Sequence, residues 1–94
     1  PAPVPQPEDP APNVRTSQNT LDLRGMRIGE AEREMEDAIA VAPPGAMWLI
    51  HGRGTGKLKA GVRAYLKLHP RVTEFADATH EDGGAGVTVI QLRA

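Results

Sequence analysis

The run AMWLI, Ala46 to Ile50, is the strongest constraint on what this chain can fold into. Five consecutive apolar residues leave no polar face for water, so the run fits a central strand covered on both faces or one packed in a parallel pairing. Its borders are sharp: Pro43 and Pro44 end whatever helix precedes it, and the glycine-rich HGRGTG follows. The rest of the chain must therefore supply layers for one buried strand. With 94 residues there is room for one small domain.

The material for those layers is aliphatic, because Trp48, Tyr65 and Phe75 are the only aromatic residues. There is no cysteine to form a disulfide, so regular packing has to hold the fold together. No apolar run approaches the roughly 20 residues of a membrane span, and neither a signal peptide nor a lipidation motif is visible. The expectation is a cytoplasmic protein without a membrane partner.

Residues 1–18, PAPVPQPEDPAPNVRTSQ, carry six of the nine prolines and little that could be buried. This composition predicts an extended, flexible linker, such as would join a domain to a longer parent protein. The compact domain is expected over residues 19–94. TLDLRG alternates Leu21 and Leu23 with polar residues and reads as a short strand ended by Gly25. In GEAEREMEDAIAVA, Ala31, Met35, Ala38, Ile39 and Ala42 recur at helical spacing, giving a helix with an acidic outer face. From about Gly56, Leu58, Val62, Tyr65 and Leu66 mark a second helix that ends at His69 and Pro70. RVTEFA and GVTVIQL read as strands around a flexible glycine turn. The order is βαβαββ, an α+β two-layer sandwich with two helices on one face of a mixed four-stranded sheet.

Net charge is −1, yet the charges are segregated. Gly29 to Ala42 holds five acids and Arg33, whereas His51 to Arg71 holds six bases and no acid. Within that basic half, IHGRGTGKLK looks like a phosphate cradle but matches neither known pattern. A P-loop requires Gly, four residues, then Gly-Lys-Ser/Thr; here Leu58 follows Gly56-Lys57 and His51 stands where the first glycine belongs. The dinucleotide fingerprint would place a glycine at Lys57. What remains is a strand ending in His51, a loop of Gly52, Arg53, Gly54, Thr55 and Gly56, and a helix opening with Lys57 and Lys59. Backbone N–H groups and the helix dipole make this a seat for an anion such as a phosphodiester. The same glycines equally suit a tight strand-to-helix turn with solvated bases. Lys59, Arg63 and Lys67, four residues apart, form a basic stripe that could track phosphates or simply face water.

If the strands ending at LDLRG and WLIHG are parallel neighbours, Asp22 or Arg24 comes near His51 at the carboxyl edge of the sheet, where ligands of such sheets gather. His69 and His80 lack metal-ligand spacing with His51 and read as a helix-end and a loop residue. No metal-binding residues are assigned.

Taken together, LDLRG with MRIGEAE, IHGRGTGKLKAGVRAYLKLHP, and EDGGAGVTVIQL resemble the Smr (small MutS-related) domain, particularly the version at the C-terminus of the second bacterial MutS paralogue. The resemblance spans about Leu21 to Leu92. It implies the same βαβαββ fold and an endonuclease that nicks DNA or cleaves RNA, within a parent protein linked to suppression of recombination and rescue of collided ribosomes. Implied partners are DNA, RNA or the ribosome, and the rest of the parent; the isolated domain is expected to be a monomer. ATP would bind only to the parent core, and a divalent metal, Mg or Mn, is left open. Many stand-alone members have histidine where this chain has Arg24, which cannot deprotonate and can only bind or stabilise an anion. On this resemblance His51 is a general acid or base, Asp22 orients it, a water or a metal, and Lys57 with the glycine loop holds the phosphate. The competing expectation is a module that docks on nucleic acid without cutting it.

Overall fold

The computed structural model describes residues 15–94. Most of the expected linker, residues 1–14, lies outside the described residues. Residues 15–18 already touch the folded body. Ser17–Asn19 form a 3-10 turn capped by Thr16, and the Arg15 side chain reaches Thr20 and Asp82.

Four strands and two helices follow in the expected order: β1 (Thr20–Asp22), α1 (Ile28–Val41), β2 (Gly45–Ile50), α2 (Lys57–Leu68), β3 (Val72–Asp77) and β4 (Val87–Leu92). The sheet order is β1-β2-β4-β3, with β1 parallel to β2 and β4 antiparallel to both β2 and β3. β1, β2 and β3 therefore run in one direction, and their carboxyl ends meet at one edge of the sheet. β2 is central, and its residues Gly45 to Leu49 are buried, as its unbroken apolar run requires.

Both helices cover the same face. Ala31, Met35 and Ile39 of α1 and Val62 and Leu66 of α2, each set four residues apart, pack with Leu23, Met47, Leu49, Ile90 and Leu92 into one aliphatic core. The opposite face of the sheet holds a smaller cluster of Ala46, Trp48, Ala78 and Val87. The turn between β3 and β4 departs from expectation. Instead of a loose glycine hinge it forms two 3-10 turns, His80–Asp82 and Gly84–Gly86.

α1 ends at Ala42 because the residue before Pro43 is forced into extended backbone (φ −74°, ψ 142°). This strands carbonyls at a helix end with no basic residue in its last turn. Arg71, just ahead of β3, supplies the missing donors: Nη1 donates to the carbonyls of Ile39 and Ala42, and Nε donates to Arg93 O. One guanidinium thus ties α1 to both ends of the β3–β4 hairpin. Arg71→Ala should cost about 1.5–3 kcal/mol of stability, the range for hydrogen bonds to a charged donor, read from urea unfolding. An unchanged midpoint would show that water replaces the guanidinium without loss.

Candidate functional site

Pairing register decides what gathers at the carboxyl edge. Asp22 lies opposite Ile50, and Leu23 N donates to Ile50 O at 2.7 Å, so the two motif-bearing strand ends are neighbours as expected. Side chains alternate between the faces of a strand, however, and this separates the expected catalytic pair. Asp22 shares a face with Ile50; His51 shares the helix-covered face with Leu49 and Thr88, which are paired across β2 and β4.

Asp22 therefore does not orient His51 but grips Arg24. Asp22 Oδ1 accepts from Arg24 N (3.0 Å) and Nε (2.9 Å), and Oδ2 accepts from Nη2 (2.7 Å). These bonds, the side-chain ones foremost, hold the Asp22 carboxyl at about 2, below its ordinary 3.8, and raise the Arg24 pKa. The pair stands in solvent, the side chains 49% and 63% exposed. Arg24 in turn lies over the glycine loop: a Cβ added to Gly52 would sit 3.5 Å from Arg24 Cγ. That is an ordinary van der Waals contact, so it is the backbone, at φ +81°, that favours glycine at Gly52.

His51 is 6% exposed. Its Nδ1 lies 3.0 Å from Gly52 O, which can only accept, so Nδ1 carries the proton. Nε2, 2.7 Å from Thr88 Oγ1, then accepts the threonine proton, and the hydroxyl oxygen takes a longer bond from Arg63 Nη2 at 3.5 Å. Burial pushes the imidazole below its ordinary 6.5, and the charges of Lys59 and Arg63 add to that against the opposing Gly52 bond and Asp77. The ring is a neutral tie between β2, β4 and the loop. The main-chain amides of His51 and Gly52 tighten it further by donating to Gly86 O at 3.1 and 2.9 Å.

Beyond that tie the loop is open. Arg53, Gly54, Thr55, Gly56 and Lys57 are exposed, and Gly56 caps α2 in the left-handed region at φ +85° without a side-chain bond. The α2 N-terminus thus opens outward beside the Lys57 side chain, with the Lys57 amide itself donating to Thr55 Oγ1 at 3.3 Å. The basic stripe does not survive as a free row. Lys59 Nζ and Arg63 Nη2 both bond Asp77 Oδ1, at 2.8 and 2.6 Å, and Arg63 also lies over the Phe75 ring at 5.3 Å. Lys67 is exposed, about 15 Å along the helix from Lys57 by the rise of an α-helix. His69 ends α2 and His80 sits in the 3-10 turn, both as expected.

Asp77 is the residue that sequence reasoning missed. The bond from Lys59, with the charges of Lys59 and Arg63, lowers its pKa. The available signal was strand direction: β3 runs parallel to β2, so the last residue of RVTEFAD falls at the same edge as His51.

This carboxylate arrangement does not fit a resident metal. Both Asp22 oxygens are engaged by Arg24, Asp77 Oδ1 is held by two cations, and among the described residues no three His, Cys, Asp or Glu side chains converge.

A two-layer βαβαββ domain with an exposed Asp–Arg pair beside a glycine loop at a helix N-terminus is the class this geometry defines. Residues 21–93 match the Smr domain family, and the chain belongs to it. It is 49% identical over 92 residues to Endonuclease MutS2 of Synechocystis sp. and 38% identical over 97 residues to that of Thermus thermophilus. Those alignments take in 97% of this chain but only 11% and 13% of the two relatives. The crystal structure of the Smr domain of Thermus thermophilus MutS2 superposes with a TM-score of 0.75 at 40% identity, covering 81% of this chain and 99% of that one. YdaL, a stand-alone small MutS-related protein from Escherichia coli, shares the fold with a TM-score of 0.69 at 23% identity, over 84% of this chain and 67% of its own.

Linkage gives a test of the buried ring. Because the folded pKa of His51 lies below 6.5, the unfolded chain binds the proton first. This contribution is complete above 6.5 and is lost as pH falls from there toward the folded value; that of Asp22 persists until 3.8 and is lost between 3.8 and about 2. The urea midpoint should therefore drop between about pH 7.5 and 5.5, and a His51→Gln variant, less stable throughout, should lose most of that slope. An equal slope in both proteins contradicts a neutral buried imidazole.

Proposed function

We propose that this domain binds nucleic-acid backbone and cleaves phosphodiester bonds, acting as the nuclease part of a longer MutS-like protein. The exposed Asp22–Arg24 pair against Gly52 of the glycine loop that leads into α2 carries this reading, and the name Endonuclease MutS2 borne by its relatives supports it. A phosphate would take loop amides and Lys57 on one side and Arg24 on the other. The guanidinium stabilises charge that builds on the phosphoryl oxygens in the transition state. Asp22, ionised at neutral pH, sets the Arg24 fork, and Oδ2 keeps a lone pair to orient the attacking water. His51 acts as a positioning residue that fixes the loop.

The substrate is a duplex or structured strand read by backbone and shape. Trp48 is buried and Tyr65 and Phe75 are partly buried, which leaves no exposed aromatic for stacking bases. DNA nicking in recombination control and RNA cleavage on stalled ribosomes both suit such a site, in a cytoplasmic, monomeric domain attached to its parent.

One observation favours the second reading, docking without cleavage. The imidazole that would exchange protons near neutral pH is buried with both nitrogens bonded, and the exposed carboxyl is a weak base.

Nicking of supercoiled plasmid and cleavage of a structured RNA, each with and without divalent metal, separate the two readings. Arg24→Gln and Asp22→Asn should lower cleavage by about 10²–10³, Asp22→Asn leaving binding largely intact and Arg24→Gln weakening it as well. Lys57→Ala should weaken binding and reduce the slope of log K against log salt by about 1. Salt-sensitive binding without cleavage by the wild type establishes the docking module instead.

A further inference from the structure

The connection between β3 and β4 is rich in glycine, with φ +121° at Gly83 and +58° at Gly84, so little in its own side chains keeps it in place. Donors from outside the loop hold its carbonyls almost one after another. Arg15 Nη1 donates to Asp82 O at 3.1 Å, Arg53 Nη2 to Gly83 O at 3.3 Å, and Lys59 Nζ to Ala85 O at 3.1 Å. The amides of His51 and Gly52 take Gly86 O.

Of the three cations, Arg53 belongs to the phosphate seat, whereas Lys59 is held by the Asp77 carboxylate as well as by Ala85 O. The Arg53 partner is a neutral carbonyl, and a phosphate that engages Arg53 draws it away from Gly83 O. The third cation is different. Arg15 lies upstream of β1, reaches across 67 residues of chain, and also donates Nε to Thr20 Oγ1 at 3.3 Å, on the first residue of the strand that ends in Asp22. Arg15, Thr16, Ser17, Thr20, Asp22 and Asp82 line one cleft of about 580 Å³. The Arg15 charge also helps keep Asp22 ionised.

We propose that Arg15 is a positioning residue of this site, bracing the β3–β4 loop against β1 while Arg53 turns to the nucleic-acid phosphate. The proposal rests on the nucleic-acid reading above. A guanidinium suits the task because its fixed fork serves two acceptors at once, whereas an ammonium on a flexible stem has no such preset geometry.

The test uses the full 94-residue chain as wild type, Arg15→Lys and Arg15→Ala. Amide hydrogen exchange is followed at Asp82, Gly84 and Gly86, whose N–H groups bond Thr79 O, Thr79 O and Gly83 O. Binding of a duplex oligonucleotide is measured over a salt series. In Arg15→Ala, exchange at these amides should rise about tenfold while amides of β2 and β4 hold, and affinity should fall several-fold with the salt slope unchanged. Arg15→Lys should fall between the two. Unchanged loop exchange in Arg15→Ala overturns the proposal, and so does a reduced salt slope, which would make Arg15 a direct phosphate contact. If the wild type binds no oligonucleotide, the nucleic-acid reading itself fails, and the exchange data then report only on a brace within the fold.

Discussion

Alternation along β2 organises the functional end of this domain. Ile50 and His51 are consecutive, yet they face opposite sides of the sheet, and each recruits a separate set of partners. On one side Asp22 and Arg24 stand in solvent. On the other, Thr88, Arg63, Lys59 and Asp77 close over the imidazole. A shift of register by one residue would exchange the two sets, burying an ion pair and exposing the ring. The alternation of β1 prevents this, because Leu21 and Leu23 must face the helix-covered core while Thr20 and Asp22 face away from it.

The result is a division of labour between a rigid interior and an exposed rim. His51 joins β2, β4 and the glycine loop through three groups: its ring nitrogens, its amide and, one residue on, the amide of Gly52. Its position is costly to leave because a buried ring nitrogen without a partner would lose a hydrogen bond that water cannot replace. Lys59 and Arg63 are similarly committed, held by Asp77 rather than free for a ligand, although such exposed ion pairs contribute modestly. The groups left to meet a ligand are few: Arg24, Arg53, the Lys57 side chain and the α2 amides beyond that of Lys57, which Thr55 Oγ1 already takes. Their fixed placement is what an anion site needs, since donors that require no rearrangement stabilise developing charge most effectively.

Much of the fold was legible from the sequence because its signals were local. Met35, Ile39, Val62 and Leu66 announce two helices by period, Pro43 and Pro70 mark their ends, and AMWLI identifies the central strand. The site was legible as segments: LDLRG and HGRGTG do meet, as parallel pairing predicts. What could not be read was which side chains face each other there. Asp22 and His51 are neighbours in the motif logic but depend on register for their faces, and Asp77 enters only through the return of β3 alongside β4. The β3–β4 loop misled for a related reason. Its glycines signal freedom, but distant donors, Arg15 among them, determine how much of that freedom is used.

The central claim is that His51 is a neutral, buried tie while Arg24 is the group that meets the ligand. Nitrogen NMR of the imidazole at neutral pH, before and after addition of a phosphodiester oligonucleotide, tests it most directly. The expected result is a proton on Nδ1, an unprotonated Nε2, a titration midpoint below 6.5, and little change on binding while the Arg24 guanidinium signals shift. A ring protonated near neutrality, or one whose Nε2 leaves Thr88 when the oligonucleotide binds, would contradict it and return His51 to the chemistry itself.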